Sequence, residues 1–400
     1  MAGALTGYRI LDLTSVAFGP YATQTLGDNG ADVIKVEPPV GDITRDIQPA
    51  RSRGMGSFYL NANRNKRSLV LDLKKPAGRE AALRLAKSAD VLVHSVRQDA
   101  MNRLGLGYED CRAVNPKLIY VAAVGFRPGG PYAGKAAYDD IIQGLSGMVA
   151  MQALTTGEPR YVPASIADKI ASIHLVYAIA MALVHRERTG EGQQVDVPML
   201  ECLVGFNLVE HAAGMLFDPP LGEPGYSRSR APSRKPFATK DGYVCMLPYT
   251  QKHWQSFFRL MGREEMVEDA RVTDPVRRSQ SFDALYRMVA ELVASWETDA
   301  LLAALDKADI PAGRVNGFAD LFHDPQLTET GFLSFKEHPT EGRIAVTENP
   351  IGFSKSPGEL RRFAPRLGEH SVELLREAGF NADEIDAMVR DGVTVQSAGD

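Results

Sequence analysis

The first third of the chain alternates strand and helix patterns, and this alternation restricts the possible folds more than any other feature. Five short apolar runs predict strands, at 8–13, 31–37, 68–73, 89–94 and 118–124. The intervening patterns predict helices, at 21–27 after Pro20, at 77–88 and near 101–104. Strands that alternate with helices form a parallel sheet covered by helices. We therefore expect an α/β fold that binds its ligand beyond the carboxyl ends of the strands.

The remainder of the chain predicts a second, smaller domain. At 400 residues the chain is too long for one simple core. A helical pattern at 199–217 is followed by 219–236, which is rich in Pro, Gly, Ser and Arg and is typical of a linker or a functional loop. We expect four parts: the first part of a large domain at 1–218, the linker at 219–236, a small α+β domain at 237–328, and a return segment at 329–400 that completes the large domain.

Composition and charge exclude several classes of protein. The net charge is −5, from 45 basic and 50 acidic residues, which argues against non-specific nucleic-acid binding. The three cysteines form no CxxC pair, so we expect a reducing, cytoplasmic location and no metal site. The N-terminus lacks the pattern of a signal peptide. No apolar run is predicted to span a bilayer, because Ser172 and His174 interrupt Ile170–Val184. We expect neither a nucleic-acid nor a membrane partner.

The familiar nucleotide-binding motifs are missing or incomplete. Residues 8–37 resemble half of a Rossmann unit, and Glu37 lies where a ribose-binding acid would follow the second strand. The loop at 14–20 has no GxGxxG, however, so its backbone cannot approach a pyrophosphate in the usual way. The chain also contains neither a GxxxxGK[ST] loop nor a GxSxG elbow. The residues therefore give little support to a dehydrogenase, a nucleotide triphosphatase or an α/β-hydrolase.

Asp168 stands at the start of a long apolar helix that is predicted to end near Gly190. An aspartate in this position usually caps the helix, since its carboxylate accepts free N–H groups of the first turn. The same position also suits a nucleophile held at the positive end of the helix dipole. The apolar spacing predicts one buried stripe along the helix, formed by Ile170, Ile173, Val176, Tyr177, Ala180, Leu183 and Val184.

Two clusters of cations are candidates for holding phosphate groups. Residues 61–74 contain Arg64, Lys66, Arg67 and Lys74 around a predicted strand. The 219–236 segment contains Arg228, Arg230, Arg234 and Lys235. Arginine and lysine bind phosphates through charge-assisted hydrogen bonds. The competing interpretation is that both clusters are solvated ends or loops, and the sequence alone does not separate the two.

Five segments of the chain, in order, resemble the class III CoA-transferases, the family also named after carnitine and bile-acid CoA-transferases. They are GADVIKVEPPVGD (30–42), NRNKRSLVLDLK (63–74), GPYAGKAAYDDIIQGLSG (130–147), HRERTGEGQQVDVPMLE (185–201) and PRLGEH (365–370). The resemblance implies a doubly wound, Rossmann-like large domain and a smaller domain. It also implies a homodimer in which two ring-like subunits interlock. No metal and no permanently bound cofactor are implied; acyl-CoA is a substrate.

The resemblance also implies a reaction and its nucleophile. Members of the family move CoA from an acyl-CoA donor to a carboxylic acid acceptor by way of mixed-anhydride and aspartyl-CoA thioester intermediates. The family's aspartate lies shortly before the helix that ends in HRERTG, and Asp168 holds that position here. By resemblance, then, Asp168 is the nucleophile rather than only a helix cap, and the donor is succinyl-CoA or a related short acyl-CoA.

The residues that bind CoA are likewise implied by position in the family's motifs. Val16 and Ala17 would line the pantetheine path, and Arg103 would contact a phosphate. Asp139 would stand beside the reacting carboxyl, together with Ala136 and Tyr138. The remaining implied contacts are Leu71, Asp72, Leu73 and Lys74 on the adenine side, and His94, Ser95 and Val96 in the loop after the fourth strand.

Three departures from the formyl-CoA transferase branch bear on the substrate. That branch has an arginine at the place of Pro38 and a lysine at the place of Ala136, although Lys135 is adjacent. Its mobile tetraglycine loop has no counterpart between Pro236 and Lys252. The missing loop argues against oxalate or formate as the acceptor.

Two alternative functions are weighed against CoA transfer. A racemase branch of the same superfamily moves a proton in 2-methylacyl-CoA, but Tyr138 takes the place of its histidine, and a tyrosine of ordinary pKa near 10 is a poor base at neutral pH. A CoA-binding protein without turnover is the other alternative. The presence of Asp168 argues against it, because binding alone needs no carboxylate beside the thioester.

Overall fold

The computed structural model describes residues 3–396 and divides them into two compact units. The first unit comprises 3–145, 164–203 and 325–396, and the second comprises 146–163 and 204–324. The chain thus leaves the first unit twice and returns to it at its C-terminal end. The predicted domain limits at 218, 236 and 328 stay a prediction. Internal packing groups 146–163 and 204–236 with the second unit.

The elements of both units are numbered here in chain order. The strands are β1 (Arg9–Leu13), β2 (Asp32–Glu37), β3 (Lys66–Val70), β4 (Val91–His94), β5 (Ile119–Val124), β6 (Gln193–Pro198), β7 (Phe237–Ala238), β8 (Tyr243–Met246), β9 (Ala312–Arg314), β10 (Leu333–His338) and β11 (Gly342–Thr347). The first nine α-helices are α1 (Phe18–Asp28), α2 (Ser57–Ala62), α3 (Pro76–Ser88), α4 (Gln98–Arg103), α5 (Tyr108–Val114), α6 (Asp139–Leu145), α7 (Met148–Thr156), α8 (Ile166–Thr189) and α9 (Met199–His211). The others are α10 (Ser227–Arg230), α11 (Gln251–Leu260), α12 (Ala270–Thr273), α13 (Pro275–Gln280), α14 (Phe282–Val293), α15 (Thr298–Lys307), α16 (Pro325–Glu329), α17 (Ser371–Glu377) and α18 (Ala382–Arg390).

A six-stranded parallel sheet forms the centre of the first unit, in the order β3-β2-β1-β4-β5-β6. The order reverses between β1 and β4, which is where parallel sheets of this kind open a ligand crevice. Strands β1 to β5 are short and almost wholly buried, as strands covered on both faces must be. The edge strand β6 exposes Gln194 and Asp196. The α/β fold with a parallel sheet predicted from the sequence is confirmed.

A network of buried charges lies within this sheet. Register places Asp12 of β1 beside Lys35 of β2, and Lys35 beside Ser68 of β3. The Lys66 ammonium lies 3.2 Å from the Asp12 carboxylate, and neither side chain is exposed. Burial lowers the pKa of Lys66 to about 8, although the charge of Asp12 opposes that fall. These ions are paired and hydrogen-bonded, as buried ions must be to avoid a large desolvation cost.

The second unit is an α+β assembly built on a three-stranded antiparallel sheet, β7-β8-β9. Its core is aromatic: Trp254, Phe257 and Phe258 of α11 pack with Tyr286 of α14 and are almost fully buried. The 219–236 segment packs here as well, since Ala231 is buried and the Ser233 N–H donates to the Asp283 carboxylate at 2.9 Å. This segment is therefore folded into the second unit.

Helix α8 differs from its prediction in two ways. Of the expected stripe, Ile170 and Leu183 are buried, but Ile173 is 60% exposed, Tyr177 44% and Val184 50%. The helix is apolar on several sides, so spacing alone could not select the face that packs. Contrary to prediction, α8 is also long and apolar enough to cross a membrane. That is weak evidence for a span, because 44% of its apolar window is buried and the chain continues directly into β6 of the sheet.

Candidate active site

Asp168 lies in the first turn of α8, but it does not cap the helix. The N-cap residue is Ser165, and no side-chain cap hydrogen bond forms there. The Asp168 N–H donates instead to the Asp139 carboxylate of α6, at 2.9 Å. An acid from another helix therefore satisfies this N–H group, and the carboxyl group of Asp168 is left for another role. The capping interpretation of Asp168 is wrong for this reason.

Gln143 holds Asp139 against the start of α8. Gln143 lies one turn after Asp139 on α6. Its side-chain amide donates to the second Asp139 oxygen at 2.6 Å and to the Ala164 carbonyl at 3.2 Å. Gln143 is fully buried, whereas Asp139 is partly exposed. One oxygen of Asp139 thus accepts from the Asp168 N–H at the start of α8, and the other accepts from Gln143 of α6. These two hydrogen bonds fix the orientation of the Asp139 carboxylate.

The environment of Asp168 makes its carboxyl group unusually basic. Burial is the main cause and the neighbouring Asp139 carboxylate is the second, and together they raise the pKa of Asp168 to about 7; Lys169 opposes them weakly. Both causes disfavour the charged form. An aspartate that stays half protonated near neutral pH gives, once ionised, a more basic and therefore more reactive carboxylate than an exposed one. Perturbed acids of this kind cluster at functional sites.

The start of α8 is joined to the loop that follows β1. The Ser172 hydroxyl lies 2.6 Å from the Phe18 carbonyl oxygen and 2.7 Å from that of Asp168. Gly19 permits the tight turn here, because a Cβ atom at this position would lie 2.1 Å from the Thr14 side chain. The loop that carries Val16 and Ala17 therefore meets the helix that carries Asp168.

Val16 adopts a left-handed backbone, with φ of 68°, which is rare for a β-branched residue. A buried ion pair supports this loop. The Val16 N–H points at the Asp42 carboxylate, 3.3 Å away, and Lys35 donates both to Asp42 at 2.8 Å and to the Thr14 carbonyl at 3.1 Å. Strained backbone at the carboxyl edge of a sheet is a feature of binding sites, where the surroundings hold it in place.

The loop after β4 joins the same region. The Ser15 N–H donates to the Ser95 hydroxyl at 3.2 Å, which links the loops on either side of the point where the strand order reverses. His94 itself is buried; its Nδ1 lies 3.0 Å from the Val96 carbonyl oxygen, and burial lowers its pKa to about 4. The neutral His94 ring therefore stabilises the loop from its buried side, while Ser95 is exposed on the surface of the loop.

The other residues implied by resemblance are not joined to Asp168 by any hydrogen bond within the described chain. Leu71 is buried, and its N–H donates to the Glu37 carbonyl. Arg103, at the end of α4, is exposed and has no ion-pair partner within 3–396. The remaining five differ in exposure: Asp72 and Leu73 are half-buried, whereas Lys74, Ala136 and Tyr138 are exposed.

The cations at 61–74 are neither solvated nor available for a phosphate, with one exception. Arg64 pairs with Asp28, Lys66 with Asp12, and Arg67 with Asp32, Glu373 and Glu377. Lys74 alone is exposed. Both interpretations of this cluster are therefore wrong for Arg64, Lys66 and Arg67, which serve the structure of the first unit.

Three residues of the site were not predicted from the sequence: Gln143, Lys35 and Asp42. Gln143 gives no signal of its own beyond its i, i+4 distance from Asp139. Lys35 and Asp42 were visible, the first as a charge within the apolar strand ADVIKVE and the second at the end of VGD. A charge at the centre of a buried strand must find a partner, and that expectation would have identified Lys35.

The fold places an aspartate of raised pKa beside loops at the point where the strand order of a parallel sheet reverses. Within 3–396 no cluster of His, Cys, Asp and Glu resembles a metal site.

Comparison with known proteins identifies the family. The model of CoA-transferase family III matches residues 5–371. The succinate–glutarate CoA-transferase of Agrobacterium fabrum is 32% identical over 93% of this chain and 95% of its own length. The succinyl-CoA:mesaconate CoA-transferase of Haloarcula hispanica is 34% identical over 94% and 97%. The crystal structure of a CAIB/BAIF family protein from Brucella suis superposes with a TM-score of 0.81, at 31% identity over 94% of this chain and all of that one. The chain belongs to CoA-transferase family III, and it is a CoA-transferase.

Proposed function

We propose that Asp168 is the nucleophile that carries CoA between two acids. Its carboxylate attacks the thioester carbonyl of the donor, which expels CoA thiolate and leaves a mixed anhydride. The thiolate attacks the Asp168 carbonyl of that anhydride, which releases the donor acid and leaves an aspartyl-CoA thioester. The acceptor carboxylate attacks this thioester, expelling thiolate and forming a second anhydride. The thiolate then attacks the acceptor's acyl carbon, which gives the new acyl-CoA and restores Asp168.

The raised pKa of Asp168 is the observation that carries this proposal. Each step exchanges an oxygen or sulfur nucleophile at one carbonyl, so no proton has to be added or lost along the cycle. A partly desolvated carboxylate suits this chemistry, because water is kept from the anhydride and the thioester energy is not lost to hydrolysis. Asp139, fixed by Gln143, is a positioning residue that orients the start of α8 and raises the basicity of Asp168.

For the substrates, we propose a dicarboxylic acid as acceptor and succinyl-CoA or a related short acyl-CoA as donor. The support comes from the names of the relatives, which include succinate–glutarate, succinyl-CoA:mesaconate and formyl-CoA:oxalate transferases. The lack of a tetraglycine run between 236 and 252 still argues against the last of these pairs.

We propose that CoA lies along the carboxyl edge of the six-stranded sheet. Val16, Ala17 and Ser95 belong to loops that meet there, and Arg103 and Lys74 offer exposed cations for its phosphates. Leu71 and His94 have buried side chains, so they would shape the adjoining loops rather than contact the ligand through those side chains. The other proposed contacts are Asp72, Leu73, Val96, Ala136, Tyr138 and Asp139.

We further propose a homodimer located in the cytoplasm. Ile173, Tyr177, Met181 and Val184 lie along one face of α8 and are between 44% and 65% exposed, an apolar surface that a second subunit would cover. The family's interlocked arrangement would bury such a surface. The cysteines Cys111, Cys202 and Cys245 are all unpaired, which fits a reducing compartment.

Substrate choice tests the functional proposal. We expect the protein to convert succinyl-CoA and glutarate into glutaryl-CoA and succinate, and to use a monocarboxylate of the same length, valerate, at least about tenfold less well, because a charged group left unpaired costs about 1.4 kcal/mol or more. Both products are measured by chromatography of the acyl-CoA pool. Equal rates with glutarate and valerate would contradict the dicarboxylate proposal. Deuterium wash-in at the α-carbon of 2-methylacyl-CoA without CoA exchange would favour racemisation instead.

The pH dependence tests the role of Asp139. Since the ionised form of Asp168 attacks, kcat/KM for the acyl-CoA should rise with pH through the pKa of about 7. In Asp139→Asn the rise should occur at lower pH, because one of the two causes of the raised pKa is gone. It should still lie above the range of an ordinary aspartate, since burial, the larger cause, is unchanged. Asp140→Asn removes a charge from the exposed neighbouring position and serves as the matched control. A rise at the same pH in Asp139→Asn and the parent would contradict the assignment.

A further inference from the structure

The second unit contains an open groove that the proposed chemistry of Asp168 does not use. Its volume is about 520 Å³, which suits a small organic ligand. Phe237, Met246 and Pro311 contribute apolar walls from the β7-β8-β9 sheet and the loop before β9. All of the lining residues belong to the second unit, so the groove is complete within one compact body.

The charges along this groove are all of one sign. Arg228, Arg234 and Lys235 line it, and none of its lining residues is acidic. Within 3–396 none of the three forms an ion pair, and the buried Nε of Arg228 has no hydrogen-bond partner. In the first unit, by contrast, the buried cations Lys66 and Arg67 both form ion pairs with carboxylates. Unpaired cations grouped beside apolar walls attract an anion that has an apolar part.

Tyr286 adds a hydrogen-bond donor to the same wall. It projects from α14, is almost fully buried and lies in the lining of the groove. Burial raises the pKa of its hydroxyl, although Arg228 and Arg234 oppose that rise. The hydroxyl therefore keeps its proton at neutral pH and can donate to an oxyanion, while the three cations provide the charge.

We infer that this groove binds an organic anion that carries two or more negative charges around an apolar segment. Dicarboxylic acids and adenosine phosphates both have this chemistry, and either could come from the substrates of a CoA-transferase. The inference rests on the contents of the groove and not on the proposed role of Asp168. It goes beyond that proposal by adding a second place at which the protein recognises an anion.

Cys245 provides a readout that needs no turnover. It is exposed and lines the groove, whereas burial raises the pKa of Cys111 to about 12 and that of Cys202 to about 11. Because thiolates are the reactive species, iodoacetamide near pH 7.5 should modify Cys245 first. We expect glutarate or adenosine 3′,5′-bisphosphate to slow this alkylation, and the more effective of the two shows whether carboxylate or phosphate is preferred. Protection by neither anion, or equal protection by the neutral diamide glutaramide, would overturn the inference.

Charge removal makes the test specific. In the double variant Arg234→Gln/Lys235→Gln, we expect the half-protecting concentration of the effective anion to rise at least about tenfold, because each charge-assisted hydrogen bond contributes more than a neutral one. Lys240→Gln removes a cation of the same unit that is exposed and paired with Glu297, and it should leave protection unchanged. Unaltered protection in the double variant would overturn the inference. The Asp168→Asn protein should be protected like the parent, so the outcome is separable from that of the transfer mechanism.

Discussion

Asp168→Asn should reduce CoA exchange by at least about 10³-fold, while the protein stays folded. Asparagine has nearly the shape of aspartate, and the helix start is held by Asp139 and Gln143 rather than by the Asp168 side chain. The amide cannot attack a thioester as a carboxylate does, so the covalent route is closed rather than slowed. Exchange of labelled succinate into succinyl-CoA measures the loss directly.

Asp140→Asn is the control for this variant. It removes a negative charge from the start of α6, at an exposed position next to Asp139. We expect its exchange rate to stay within about twofold of the parent, as for most exposed substitutions. Exchange that survives in Asp168→Asn at more than a tenth of the parent rate would show that another group is the nucleophile.

Lys66→Met should lower the free energy of unfolding by about 3–5 kcal/mol, the cost of leaving one member of a buried ion pair without its partner. The Lys66 ammonium donates to Asp12, to Asn63 and to the Pro20 carbonyl, and none of these contacts can be made by methionine. Methionine keeps most of the side-chain volume, so lost packing contributes little. Urea unfolding followed by circular dichroism measures the change.

Lys74→Met is the matched control, because it lies in the same cluster of cations but is exposed. Its unfolding free energy should stay within about 0.5 kcal/mol of the parent. Equal stability of the two variants would mean that the Lys66 pair contributes nothing, and that the interior of the sheet tolerates an unpaired Asp12.

Much of the first unit could be predicted from local patterns. The five predicted strands and the helix at 77–88 are found within a few residues, since apolar runs between turn residues carry the strand signal in a buried parallel sheet. The third strand shows where local patterns fail to give the boundaries: it was expected at 68–73 and lies at Lys66–Val70. Lys66 and Arg67 are charged residues within it, and only their distant partners explain why they are buried there.

The site could be predicted only in part, because its geometry depends on contacts between distant segments. Asp168 stood out by position, but whether it caps the helix depends on Asp139, which is 29 residues away. The buried face of α8 was predicted incorrectly for the same reason: it depends on contacts with distant segments. Spacing predicted one buried stripe, yet Ile173 and Tyr177 are exposed, because a helix that is apolar on several sides carries no local signal of which face packs against the first unit.

The most direct test of the account is the mass of the enzyme after brief incubation with succinyl-CoA and rapid quenching in acid. We predict a covalent adduct equal to CoA less one water, located on the peptide that contains Asp168 and absent from Asp168→Asn. Glutarate added before the quench should discharge the adduct and yield glutaryl-CoA. If exchange proceeds while no CoA adduct forms on Asp168, or if the adduct lies on another residue, the covalent mechanism proposed for Asp168 is contradicted.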